Sequence, residues 1–158
     1  MPTATEDQLT KVSTEAATEL VHTFYPAINN NRESISTYYA PTPTILLNGN
    51  LVVDGAAVQD IFANQMPTAH YEVQSFNCQI INTAYPTVTP TGIKPRSEMT
   101  IKDMSILVIV SGHVRYGDDR NLPHRGFSET FTLIPNPASD RKRLRDWLIQ
   151  TQNFRLVV

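Results

Sequence analysis

The chain has 158 residues, a formal net charge of −2, 41% apolar residues and 18% charged residues. This length suits one domain with a real hydrophobic core, and the near-neutral charge gives no global attraction to nucleic acid or anionic membranes. The single cysteine, Cys78, excludes an internal disulfide, and the longest apolar run is too short to span a bilayer. The polar, acidic start lacks the features of a secretory signal, so we expect one soluble intracellular domain over residues 1–158.

The first part of the chain has the pattern of helices. Apolar residues recur every three or four positions across Glu6–Asn29, and Thr5 with Gln8 matches a capping box at the start. Pro26 predicts a kink or a break near this point, because proline lacks the amide hydrogen that a helix needs. A short second helix is predicted before Pro41.

A hairpin and a third helix follow. Asn48 and Gly49 lie between two apolar runs and can adopt the positive φ angles of a tight turn. Asp54 can cap a helix whose apolar residues share one stripe, and Pro67 ends that helix.

The second half of the chain is rich in apolar and β-branched residues, and strands are predicted within residues 70–81, 104–116, 126–134 and 147–158. The segment Asn82–Lys102 contains three prolines, so it is predicted to be a long, irregular loop. Because the helices come first and most strands come later, the order indicates an α+β fold with an antiparallel sheet.

Motifs that carry chemistry are missing from the sequence. It has no His-x-x-x-His or Cys-x-x-Cys spacing, no glycine-rich phosphate loop and no nucleophile elbow, so no catalytic set, metal site or cofactor is predicted. Glu72 and Glu129 are the acids within predicted strands, and each is expected to face solvent or a partner. Cys78 is expected to be a small core residue rather than a nucleophile.

The last predicted strand carries an arginine among apolar neighbours. Because strand side chains alternate, Arg155 shares one face with Ile149 and Asn153, while Phe154 and Leu156 lie on the other. A charge that is buried without a partner is costly, so Arg155 must face either water or a paired acid.

Three stretches, in order, resemble the nuclear transport factor 2-like family: a polar-Gly hairpin turn before a glycine-capped helix, a Gly-Phe-x-x-x-Phe strand, and a Phe-Arg-aliphatic strand. These are LLNGNLVVDGAAV at 46–58, GFSETFTLI at 126–134 and WLIQTQNFRLV at 147–157. The likeness spans roughly residues 10–158. It implies a cone-shaped roll in which three helices pack on a curved antiparallel sheet.

Within the family, the chain looks most like the small subunits of heterodimeric mRNA export receptors. The resemblance implies a non-enzymatic protein without cofactor or membrane contact, which pairs with the large receptor subunit. It further implies a role in moving mRNA and large pre-ribosomal subunits through nuclear pores by way of Phe-Gly repeats, with shuttling between nucleus and cytoplasm. The carrier that names the family binds a small GTPase through an aromatic residue and an acid in the hairpin. Leu47 and Asn48 stand at those positions, so GTPase transport is not expected.

In dimers of this family, one sheet face covers the helices and the opposite face meets the partner. Strand parity then assigns Phe127, Phe131 and Leu133 to the core. The residues expected to meet the partner are Arg155, Asn153, Thr151, Ile109, His113, Arg115, Ser128 and Thr130, with Ser111 beside them. Two arginines at one symmetric contact would repel, so a heterodimer with a carboxylate opposite Arg155 is favoured.

A short basic run precedes the last strand. It consists of Arg141, Lys142, Arg143 and Arg145. The plain interpretation is a solvated turn, and the functional one is contact with the backbone of mRNA or pre-ribosomal RNA, or with an acidic partner. Two alternatives to the heterodimer stay open: a homodimeric carrier of the same fold, and a small-molecule enzyme that uses an open cavity holding a paired acid and base.

Overall fold

A computed structural model of the chain describes residues 5–138 and 145–157. In chain order, its elements are α1 (Glu6–Asn30), a 3₁₀ helix (Arg32–Tyr38), β1 (Tyr39–Leu47), β2 (Asn50–Val52), α2 (Gly55–Asp60), a π-helical turn (Ile61–Gln65), β3 (Ala69–Asn82), β4 (Val88–Thr89), β5 (Gly92–Ile93), a second 3₁₀ helix (Arg96–Glu98), β6 (Ser105–Tyr116), β7 (Arg125–Pro135) and β8 (Trp147–Leu156).

The first helix begins as predicted and ends later than its proline suggests. The Thr5 hydroxyl accepts the N–H of Gln8, and the Gln8 side chain accepts the N–H of Thr5, which confirms the capping box. The helix continues through Pro26 to Asn30, so the predicted break is wrong. Burial of Ala27 and Ile28 directly after the proline offsets the lost hydrogen bond.

The hairpin and the third helix are confirmed. Asn48 has φ 50° and Gly49 has φ 85°, the left-handed pair that a tight two-residue turn requires. The Asp54 carboxylate accepts the N–H of Ala57 at 2.8 Å and caps α2.

Six strands form one curved sheet in the order β2-β1-β8-β7-β6-β3. Four of the five pairings are antiparallel, but β1 and β8 run parallel. The expected fully antiparallel sheet is therefore corrected to a mixed one. A parallel pair needs a long crossover, and here the whole chain between β1 and β8 serves as that connection.

The core lies between α1 and the concave sheet face. Phe24 of α1 packs edge to face on Phe131 of β7, with ring centroids 5.5 Å apart. The predicted core residues Phe127, Phe131 and Leu133 are all buried. Such aromatic pairs add specific geometry to the area they bury.

A bulge in β8 changes the predicted parity. Leu133 pairs with Ile149, whereas the preceding Thr132 pairs with Thr151, so Gln150 is the extra residue. Ile149 is fully buried and therefore lies on the core face, contrary to the assignment from simple alternation.

The segment predicted to be irregular has a defined structure. β4 and β5 form a small separate hairpin, and the buried carboxylate of Asp103 organises the loop around it. This carboxylate accepts the hydroxyl of Thr87 at 2.7 Å, the N–H of Thr100 at 2.6 Å and the Lys94 ammonium at 3.1 Å. Burial alone would raise the pKa of Asp103, but these three donors together hold it below its usual value.

Within the described residues, no helix is both long enough and apolar enough to cross a membrane.

Candidate functional site: the outer face of the sheet

The convex face of the sheet, which the helices do not cover, brings the predicted partner residues together. Arg155 of β8 lies opposite Ser128 of β7. One row further along, Asn153 lies opposite Thr130, which in turn lies opposite Ile109 of β6. We call this surface the outer face. The outer face consists of three rows of residues that lie level with one another across the strands. The first row is Arg155, Ser128, Ser111 and Ser75. The second is Leu46, Asn153, Thr130, Ile109 and Asn77, and the third is Thr44, Thr151, Thr132, Leu107 and Gln79.

One end of the outer face is formed by the other two predicted residues. His113 lies opposite Gly126 of β7 and Glu72 of β3. Arg115, two residues along the same strand, lies opposite His70. All eight residues predicted to meet a partner therefore share one face.

The outer face is mixed in character. Ile109 is 39% exposed at its centre, and Leu51 of β2 is 75% exposed at its β2 edge, next to Leu46. Between these apolar residues lie the exposed side chains of Asn153 and Ser128. With two exposed apolar residues among polar side chains, the outer face is about as apolar as an ordinary protein surface, which is also the character of a non-obligate interface.

Arg155 is exposed and is held by the hairpin between β1 and β2. The N–H of Asn48 donates to the carbonyl oxygen of Phe154 at 2.8 Å, and the N–H of Leu156 donates to Asn48 Oδ1 at 3.3 Å. Arg155 Nη1 lies 3.4 Å from the point where a β-carbon on Gly49 would stand. Among residues 5–138 and 145–157, no acid forms an ion pair with Arg155.

Arg115 is half-buried, and its Nε is completely buried. In the part of the chain that the structure describes, this atom has no hydrogen-bond acceptor. The nearby polar contact joins other residues, His70 Nε2 and Asp118 Oδ1 at 3.5 Å. A buried guanidinium donor without an acceptor is unfavourable, so a partner acid that binds the Arg115 guanidinium would offset part of this cost.

The structure describes only one of the four residues in the basic run. Arg141, Lys142 and Arg143 lie outside the described residues. Arg145 is half-buried, and its guanidinium carbon lies 3.4 Å from the ring centroid of Tyr38. This cation–π contact ties Arg145 to its own domain.

Glu129 is the residue that sequence reasoning placed wrongly. It is 2% exposed and points into the core, not toward solvent or a partner. Its carboxylate accepts the Tyr25 hydroxyl at 2.7 Å and Gln152 Nε2 at 2.6 Å, and Tyr39 in turn donates to Gln152 Oε1 at 2.5 Å. Its place midway between Phe127 and Phe131 on one strand was the signal that could have revealed this, since all three share parity.

Burial dominates the electrostatics of this network. Loss of solvation raises the pKa of Glu129 to about 7, although the donors Gln152 and Tyr25 act in the opposite direction. Burial also raises the pKa of Tyr25 and of Tyr39, and the nearby Glu129 charge adds to both effects.

Two cavities flank the core. One of about 450 Å³ opens between the hairpin, the π-helical turn and the concave sheet, and apolar side chains such as Phe62, Phe154 and Leu156 dominate its lining. No acid or histidine of the described chain lines it. The other, of about 440 Å³, lies between α1 and β3, where the exposed His22 and Glu72 both line an open groove.

Metal ligands do not cluster in the described chain: no group of three or more His, Cys, Asp or Glu side chains is placed to hold an ion.

Comparison with known proteins shows what this chain is similar to. A scan against models of protein families finds no match. NTF2-related export protein 2 of Homo sapiens is 25% identical over 138 residues, which cover 84% of this chain and 87% of that protein. The structure of Mtr2 matches with a TM-score of 0.73 and 19% identity, covering 92% of this chain and 99% of that one. A chain from the Chaetomium thermophilum Mex67 NTF2-like domain complexed with Mtr2 matches with a TM-score of 0.75 and 20% identity, covering 92% and 98%.

The chain therefore has the nuclear transport factor 2-like fold, an α+β roll of helices on a large curved mixed sheet. Within that class its sequence is similar to NTF2-related export proteins, and its structure is similar to Mtr2 and to complexes of Mtr2 with Mex67. The predicted likeness to the nuclear transport factor 2-like family is confirmed at the level of the fold and of similarity to NTF2-related export proteins and Mtr2.

Proposed function

We propose that this chain is the non-enzymatic small subunit of a heterodimeric mRNA export receptor. Its outer face binds the related domain of the large subunit, and the pair supports export of mRNA and large pre-ribosomal subunits through nuclear pores. Similarity to export proteins, to Mtr2 and to a chain of a Mex67–Mtr2 complex supports this proposal. The protein would then act in the nucleus and at the nuclear pore, and shuttle to the cytoplasm.

The outer face is the observation that carries the proposal. Eight residues from β6, β7 and β8 lie on one surface that no helix of the described chain covers. A sheet surface with Ile109 and Leu51 exposed among polar side chains suits a protein that stays soluble until it pairs.

Charge favours a heterodimer over a homodimer. Arg155 and Arg115 both lie on the outer face, and neither forms an ion pair among the described residues. A second copy placed on this face would bring more arginines, whereas a different chain can bring carboxylates. A charged mismatch in a buried contact costs several kcal/mol, which gives the discrimination.

A pull-down with the large subunit tests the proposal. Arg155→Asp should sharply reduce capture of the large subunit's nuclear transport factor 2-like domain. Arg120→Asp makes the same charge change on the exposed loop before β7 and should leave capture intact. Undiminished capture by folded Arg155→Asp would overturn the role of Arg155. A stable homodimer of about 35 kDa in light scattering, twice the 17.7 kDa chain, with no large subunit bound, would overturn the heterodimer.

Contact with cargo is a separate part of the proposal. The run Arg141, Lys142 and Arg143 would touch the phosphate backbone of mRNA or pre-ribosomal RNA, assisted by the large subunit, and such contacts depend strongly on salt. Replacing these three residues with Gln should reduce RNA crosslinking to the purified heterodimer. Equal crosslinking by parent and variant would show that the run does not touch RNA.

Phe-Gly repeats of pore proteins would be bound through the assembled pair.

A further inference from the structure

We infer that the end of the outer face around Arg115 is a second carboxylate-binding position, distinct from Arg155, for an acidic side chain of the partner domain. This inference rests on the proposed heterodimer and names a second acid that the partner must present. It starts from Arg115, which has no ion-pair partner among the described residues and whose Nε has no acceptor there; because Nε is enclosed by the chain itself, a partner acid would contact the terminal Nη atoms.

Exposed side chains that an incoming acid could contact surround Arg115. Its neighbour His113 lies opposite Gly126 of β7, and the exposed side chain of Val157 lies 3.4 Å from the position of a β-carbon on Gly126. The ring of His124, just before β7, lies 6.4 Å from the ring of His113, and His124 is exposed. The strand environment is thus rich in ring nitrogens, and the exposed side chains of His124 and Val157 border it on the β7 side.

The acids nearby do not satisfy Arg115. Glu72 lies opposite His113 and is exposed, and Asp118 contacts His70, but neither forms an ion pair with Arg115 in the described residues. An arginine fork binds a carboxylate through two parallel hydrogen bonds, so the partner's Asp or Glu is the chemical match.

The sheet register sets the spacing of the two positions. Arg155 lies level with Ser111 of β6 through Ser128 of β7, so Arg115 is two strands across and four residues along. At about 4.8 Å per strand and 3.4 Å per residue, the Cα atoms of the two arginines are about 17 Å apart. The partner should therefore present two separate carboxylates at about this distance, since one acid cannot serve both.

Titration calorimetry with the large subunit's nuclear transport factor 2-like domain tests this inference. Arg115→Glu should weaken binding at least tenfold, and Arg115→Lys should weaken it several-fold because the fork is lost. Arg120→Glu is the matched control and should bind like the parent. Thermal unfolding of each variant alone shows whether the fold is kept.

A double-mutant cycle separates the two arginines. Sites more than about 10 Å apart act independently, so the losses for Arg115→Gln and Arg155→Gln should multiply in the double variant. A partner Asp→Arg or Glu→Arg change that restores binding to Arg115→Glu, but not to Arg155→Asp, would identify the second acid. If Arg115→Gln and Arg115→Glu bind like the parent while Arg155→Asp does not, the second position is refuted and the heterodimer stands. If the parent itself does not bind, the proposed function fails instead.

Discussion

Asn48 forms hydrogen bonds with the last strand on both sides of Arg155. Its N–H donates to the carbonyl of Phe154, its side-chain oxygen accepts the N–H of Leu156, and the next residue, Gly49, lies under the guanidinium. The turn between β1 and β2 therefore positions an arginine that belongs to a strand more than a hundred residues away in sequence.

This relationship predicts that Gly49→Ala weakens both folding and partner binding. Alanine at φ 85° costs about 1–2 kcal/mol, and its methyl group would lie 3.4 Å from Arg155 Nη1. Gly92→Ala is the control, because Gly92 also has positive φ, at 119°, but nothing lies within 4 Å. Both variants should lower the melting temperature, and only Gly49→Ala should lower affinity in calorimetry. Equal affinities would show that the turn does not position Arg155.

Glu129 predicts an unusual dependence of stability on pH. Its pKa is raised from 4.5 to about 7 in the folded state, so the folded chain binds more protons than the unfolded chain between these values. Stability from this group is complete below about pH 4.5 and is lost as pH rises toward 7, by about 3 kcal/mol. Glu129→Gln removes the titration, so its free energy of unfolding relative to the parent should rise across this window. Denaturant unfolding at several pH values measures this rise.

The exposed Glu72 provides the matched control for that experiment. Glu72→Gln makes the same charge change outside the core and should keep the pH slope of the parent. A parent whose slope between pH 4.5 and 7 equals that of Glu129→Gln would contradict the assignment.

The contacts of Asp103 predict that replacing it destabilises the loop around it and leaves the rest of the fold unchanged. Asp103→Asn loses the charge that holds Lys94 and one acceptor site, which should cost about 1–3 kcal/mol. Amide exchange should accelerate at Thr100 and Lys94 and stay unchanged in β7. Asp119→Asn, on an exposed turn, should leave exchange at both residues unaltered. Uniform acceleration across the sheet would show a global effect instead.

The position of Arg145 predicts that replacing it lowers stability and leaves RNA crosslinking unchanged. Arg145→Met keeps the apolar stem but removes the cation that stacks on Tyr38, which should cost about 0.5–2 kcal/mol. Arg120→Met, an exposed control, should cost nothing measurable in denaturant unfolding. If Arg145→Met leaves stability unchanged and reduces RNA crosslinking, the stacking interpretation is wrong.

Local signals in the sequence were enough for the helices, the hairpin and most strand faces. The Thr5 capping box, the Asn48-Gly49 turn and the Asp54 cap depend on residues within a few positions of one another, and all three are confirmed. Alternation along β7 placed Phe127 and Phe131 correctly, because that strand is regular where they lie.

What the sequence did not reveal depends on distant residues. The bulge at Gln150 is set by pairing of β8 with β7, and it reversed the side assigned to Ile149. The parallel pairing of β1 with β8 is a property of the assembled sheet. Glu129 seemed too polar for the core, but Tyr25 and Gln152, far apart in sequence, supply donors to its carboxylate. The unpaired Nε of Arg115 is visible only once its neighbours are in place.

The position of β8 has a consequence for synthesis. This strand lies inside the sheet, between β1 and β7, although residues 147–156 are made more than a hundred residues after β1. On the ribosome, the edges of β1 and β7 that pair with β8 stay unpaired until β8 has been made. Only then is the row of the outer face that contains Arg155 complete. The nascent chain thus exposes two unpaired strand edges until β8 is made, and such edges are prone to wrong pairing and aggregation.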